Sequence, residues 1–173
     1  MISSAWNAVS DYGPLFIPVA VAVGAAVHLW RMPDRPPGRV AETVLLWFFG
    51  GVVGVGGVVV TASHVFFASA TAEQIGFPPG NPFQFEVAMA NLAFAVLGIL
   101  CLRIRGGFWD ATAIGFAVFY WGAAAGHLVE LLARHDDAPY NAGPILITDI
   151  GVPVIMLSAL VRLRAAGRRE PSE

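Results

Sequence analysis

Lysine is absent from this chain of 173 residues, whose ten basic residues are all arginine. Without a lysine amine, no retinal or pyridoxal Schiff base can form. A single cysteine, Cys101, leaves no intramolecular disulfide and no Cys-pair metal or redox motif. Its ordinary reading is a small packing residue in a helix. Charge is scarce as well: 13% of residues are charged, 57% are hydrophobic and the mean hydropathy is +0.68. That balance excludes an ordinary soluble globule and is the composition of an integral membrane protein. No basic residue precedes the first apolar run, so the charged start of a secretory signal is missing. The first apolar segment is therefore expected to be a retained helix, and no nucleic-acid partner is expected.

What is present is a series of long apolar segments. A helix crossing about 30 Å of hydrocarbon needs roughly 20 apolar residues, and five segments come near that: about 12–30, 43–70, 83–102, 108–133 and 144–163. The expected fold is all-α, a bundle of five transmembrane helices. Residues 1–163 would form that domain and 164–173 a polar, basic, frayed tail. Pro14 and Pro18 lie near the start of the first helix, where proline costs least, and Pro153 is expected to kink the fifth. Glycines at 50, 51, 54, 56 and 57 clear one stretch of helix two for close helix approach. Beside lipid, that face offers a route to a homo-oligomer or a larger membrane complex.

Orientation follows from the arginines. Nine of the ten fall in the 31–39 loop, the 103–105 turn and the stretch from Arg162 through the tail, and the other two loops hold only Arg134. Positive charge stays cytoplasmic, so the N-terminus is expected outside and the C-terminus inside a cytoplasmic membrane. Trp30, Trp47 and Trp109 would form an aromatic belt at the inner interface. His28 would be an interfacial residue, His135, Asp136 and Asp137 a solvated loop, and Asp11 and Asp110 helix starts, where a carboxylate meets the positive end of the dipole.

In this frame, His64, Glu86, Asn91, His127, Glu130 and Asp149 occupy one layer in the outer half of the bundle. His127 and Glu130, three apart, share a helix face. An acid at the centre of a membrane helix is unfavourable by about 2.5–3.5 kcal/mol, less near an interface. No arginine lies within the layer to offset three carboxylates. They must be protonated, paired with imidazolium, solvated in a pocket or bound to a cation.

The spacing also suggests a pair. From His64 to Glu86 is 22 residues, as is His127 to Asp149, with Glu73/Asp136, Phe77/Tyr140 and Gly80/Gly143 in register. A parallel repeat would bring two imidazoles and two carboxylates together, and coincidence accounts for the same matches. Imidazole and carboxylate on facing helices are how bundle cores hold Fe, Mn or Zn. The leading expectation is thus a metal site of His64, Glu86, His127, Glu130 and Asp149, with Asn91 and Tyr120 behind it and an oxidoreductase role within reach. Tyr120, seven residues before His127, lies on nearly the same face. A haem between His64 and His127 is disfavoured by the surrounding carboxylates. A proton- or cation-coupled carrier is the first alternative, although no acid or histidine marks the inner half of helices two to five. An accessory subunit whose polar layer only locks the bundle is the second.

Several runs also resemble a known family. His64-Val-Phe-Phe, Ile75-Gly76-Phe77, Asn81-Pro82-Phe83-Gln84-Phe85-Glu86-Val87, Ala90-Asn91-Leu92-Ala93 and Val96-Leu97-Gly98 resemble an uncharacterised family of small bacterial multi-pass membrane proteins. Gly107-Phe108-Trp109, Gly126-His127, Asn141-Ala142-Gly143 and Asp149-Ile150 are similar to its later motifs, so the likeness covers roughly residues 60–152. Phe77 stands where the family pattern has tryptophan. The resemblance implies architecture and a membrane location, with no activity and no site residue.

Overall fold

A computed structural model describes residues 11–168. Helix α1 spans Gly13–Arg31, with proline in its first turn and Pro18 inside it. Helix α2, Pro37–Phe66, is 30 residues long and has three successive parts: α-helical Pro37–Trp47, π-helical Phe48–Gly56 and α-helical Gly57–Phe66. A short α3, Ala68–Ile75, leads to α4, Phe83–Leu100. Helix α5 is Gly107–Arg134, followed by a single turn, α6, at Pro139–Ala142 and by α7, Pro144–Gly167. There is no strand among the described residues, and five helical spans, α6 and α7 counting as one, are long and apolar enough to cross a membrane.

Helix α2 is the central element, packing on α1, α4 and α7, while α5 packs chiefly on α7. Glycines on α2 and α4 explain the close approach. A Cβ on Gly57 would lie 3.1 Å from the Asn91 carbonyl oxygen of α4, and one on Gly98 would lie 2.6 Å from that of Phe49. Gly51 faces Val21 of α1 in the same way. The glycines foreseen as a docking face are thus filled by neighbours within the chain. Four of them fall in the nine-residue π segment, a wide form of helix that rarely runs beyond one turn.

The core, Leu45, Phe48, Phe49, Val53, Trp109, Phe116, Met156 and Leu160, interlocks α2, α5 and α7. It departs from the expected aromatic belt, because Trp109 is 2% exposed and donates its indole N–H to the Cys101 carbonyl at 2.7 Å. Trp30 and Trp47 do stay exposed, and Trp47 Nε1 donates to His28 Nδ1 at 3.1 Å.

Two boundaries also move. Helix α2 ends at Phe66, since Phe67 at φ −125 breaks the run, and Glu73 and Gln74 lie on α3 instead of in a turn. Helix α7 runs on to Gly167, where Arg164 grips both Asp110 oxygens at 3.0 Å and so joins the start of α5. The rest of the expected tail, 169–173, lies outside the described residues, as do residues 1–10.

The connections at the other end touch each other. Gly76, at φ +87, closes α3 with the Phe77 amide donating to the Ala72 carbonyl at 2.8 Å. A side chain there would also run into the Asp136 carboxylate, so the α3–α4 turn and the α5–α6 turn form one lid-like surface.

Candidate functional site

Beneath those turns lies a cavity of about 210 Å³, room for several waters or one small molecule. Its walls come from the first turns of α1, the π segment and last turns of α2, α3, the middle and C-terminal half of α5, α6 and the start of α7. Most of the lining is apolar, including Ile17, Val52, Val59, Ile145 and Val152. Three ionisable side chains of the expected layer line it, namely His64, His127 and Asp149, with Tyr120 beside them.

Both imidazoles are held by their Nδ1 edge. His64 Nδ1 sits 2.6 Å from Gln84 Oε1, and His127 Nδ1 sits 2.8 Å from Asn141 Oδ1. Asn141 is itself oriented, because its Nδ2 donates to the Asp136 carbonyl at 2.7 Å. Its oxygen therefore faces the ring, and His127 Nδ1 must carry the hydrogen. Gln84 Oε1 assigns the same tautomer to His64. Each ring is left with an Nε2 lone pair, and neither Nε2 is sealed in without a partner.

Asp149 is 2% exposed. Its closest polar neighbours are Thr148 Oγ1, 3.5 Å from Oδ1, and His127 Nε2, 3.9 Å from Oδ2. The threonine hydrogen is better used on the Ile145 carbonyl at 2.8 Å, so the hydroxyl contact to the carboxyl is a long one.

Tyr120 and Asn91 support this wall. The Tyr120 hydroxyl donates to Asn91 Oδ1 at 3.0 Å, Asn91 Nδ2 donates to the Val87 carbonyl at 2.9 Å, and the Tyr120 ring stacks on Phe116 with centroids 4.1 Å apart. Asn91 does not line the cavity. It acts by fixing Tyr120 across the α4–α5 interface.

The remaining two carboxylates point elsewhere. Glu86 is exposed and outside the cavity, because the buried face of α4 runs through Gln84, Ala88, Asn91, Ala95 and Gly98. A residue two positions from Gln84 turns about 200° away. Glu130 is held by Arg134 at 3.0 Å, one turn on, and is not among the lining residues. The 22-residue spacings therefore do not place equivalent acids. Among the described residues, no group of three or more His, Cys, Asp or Glu side chains is arranged to share one ion.

The sequence reading passed over Gln84 and Asn141 as site residues. The interval of three and four through Gln84, Ala88, Asn91, Ala95 and Gly98 is the signal that could have shown the buried face of α4 and placed Gln84 on it instead of Glu86. Asn141 had no such signal, because its place depends on the turn between α5 and α7.

The fold and cavity define a class: among the described residues, an all-α protein with five helical spans long and apolar enough to cross a membrane and a mostly apolar pocket near one end. Within that class, the chain belongs to a family of unknown function (DUF6790), whose match covers residues 11–169. No curated protein and no solved structure matches it.

Proposed function

We propose that the protein is a membrane-embedded binding protein, seated in the cytoplasmic membrane with its cavity toward the outer face and its arginine-rich end in the cytoplasm. The observation that carries this reading is the convergence of two amide-anchored imidazoles and a buried carboxyl on one cavity. At membrane depth an unused carboxyl is costly, and a mostly apolar pocket with a few aimed polar groups is the usual form of a small-ligand site. The charge asymmetry supports the orientation.

A divalent Fe, Mn or Zn ion is one ligand this site would take. Ring orientation through Nδ1 is how ligating histidines are commonly fixed, and the His127–Asp149 gap lies open to the cavity. The wide separation of a third donor counts against a preformed centre. Redox chemistry would follow only from bound iron or manganese. The carrier reading has less support, because Phe49, Val53 and Met156 belong to the packed core and do not line the cavity.

The test is thermal melting of the purified full chain in nanodiscs with divalent ions and small polar compounds. Binding to the folded state raises the melting temperature by mass action, and the expected shift is lost in Asp149→Asn. If no compound shifts the wild type, or if the variant keeps every shift, the reading fails. In intact cells, His135→Cys should react with an impermeant maleimide and Arg103→Cys should not; the reverse pattern overturns the orientation.

A further inference from the structure

The polarity of the cavity wall is divided between helices. Helix α1 lends it only glycine and apolar side chains, Pro14, Ile17 and Pro18 among them, and α2 adds Val52 and Val59. Tyr120 and His127 stand on α5, which packs chiefly on α7, and Asp149 stands on α7 itself.

The apolar flank is also the open one. Val59 lines the cavity and is 48% exposed, on the same outward stripe of α2 as Val55 and Val58. Helix α1 packs mainly on Pro37–Trp47, on the π segment and on α7, whereas Gly57–Phe66 packs mainly on α4. Toward the cavity end α1 and α2 therefore part. At about 1.5 Å of rise per residue, the gap beside Val59 lies about 10 Å below Phe66, the last residue of α2. In a membrane-spanning bundle, that depth faces lipid.

This geometry selects an occupant. Its way in is sideways past apolar side chains, so it dissolves in the bilayer. A charged head would pay heavily to cross that gap, and no arginine lines the cavity to meet an anion. A hydroxyl both donates and accepts, so it suits an imidazole nitrogen, or a carboxyl in either protonation state. The volume of about 210 Å³ is little more than the roughly 150 Å³ of a cavity that holds benzene. A small head and its first carbons fit, and a longer chain must remain in the gap.

From the apolar gap between α1 and the end of α2, and the polar wall behind it, we propose that the cavity takes the head of a bilayer-dissolved long-chain alcohol, with its hydroxyl at the His127–Asp149 wall and its chain leaving between Ile17 and Val59. This rests on the binding reading above and names the ligand class and the route of the same site.

The test uses the full chain in nanodiscs and a dodecanol carrying a diazirine at mid-chain, with the photolabelled residues located by mass spectrometry. Saturable labelling is expected at residues 14–18 and 59–60, competed by dodecanol at least about tenfold better than by dodecane, dodecyl phosphate or dodecyltrimethylammonium. Narrowing the gap from either side, by Val59→Trp or by Ile17→Trp, is expected to reduce this labelling about tenfold or more. Val58→Trp, at a site 46% exposed but outside the lining, is expected to leave it unchanged. Labelling spread over all exposed helix faces, equal competition by the headless or charged chains, or full labelling in both gap variants overturns the proposal. Where divalent ions or small polar compounds still raise the melting temperature in an Asp149-dependent way, only the alcohol assignment falls. Where they do not and dodecanol fails to bind, the binding reading falls with it.

Discussion

His64 and His127 owe their roles to neighbours that carry no charge. A neutral imidazole has one donor and one acceptor, and whichever edge meets an amide oxygen must donate. Gln84 and Asn141 therefore decide that the cavity receives a base instead of an N–H. Removing such a partner leaves a buried donor unsatisfied, at a cost of roughly 1–3 kcal/mol. Asn141→Ala is expected to lower stability by that amount in thermal or denaturant melts, whereas Glu86→Gln, an exposed site, should change it by less than about 0.5 kcal/mol. Equal losses in the two variants would contradict the placement of Glu86 away from the cavity.

At the scale of elements, glycine decides which helices touch. Gly57 brings α2 against Ala95 and the Asn91 carbonyl, while Gly122 and Gly126 of α5 meet nothing within 4 Å. Overpacking a close contact costs about 1–3 kcal/mol. Gly57→Leu should thus destabilise the bundle by that amount, and Gly126→Leu should leave the melting temperature nearly unchanged. If both variants destabilise equally, the close face is misplaced.

Much of this scale was legible in the sequence, because length and hydropathy mark spanning helices and glycines mark close approach. Trp109 was misread because a tryptophan near a helix end has the same composition in a belt and in a core. Burial depends on what the facing helix presents, here Phe49 with ring centroids 5.4 Å away. Glu86 was misplaced for a different reason: depth along an axis was weighed, and rotation about it was not.

For the whole molecule, the two ends divide the work. The arginine end is tied by Arg164 to Asp110 and by Arg105 to Glu42 and to the Trp109 face at 5.0 Å. These links join the starts and ends of α2, α5 and α7 in the region where positive charge is expected to remain cytoplasmic. The opposite end carries the cavity and the touching turns at Gly76 and Asp136. Apolar packing of Phe49, Val53 and Met156 separates the two regions, so a ligand approaching from the cavity end meets a floor. A cavity on one side, held by a packed base, is the arrangement this produces.

The central claim is that both histidines offer an Nε2 lone pair to this cavity. Long-range ¹H–¹⁵N correlation on ¹⁵N-histidine protein in nanodiscs, assigned by replacing each of the four histidines in turn, reads the tautomers directly. His64 and His127 should both show a protonated Nδ1 and an unprotonated Nε2, and the His127 pattern should be lost in Asn141→Ala. An Nε2–H tautomer at both rings would contradict the account.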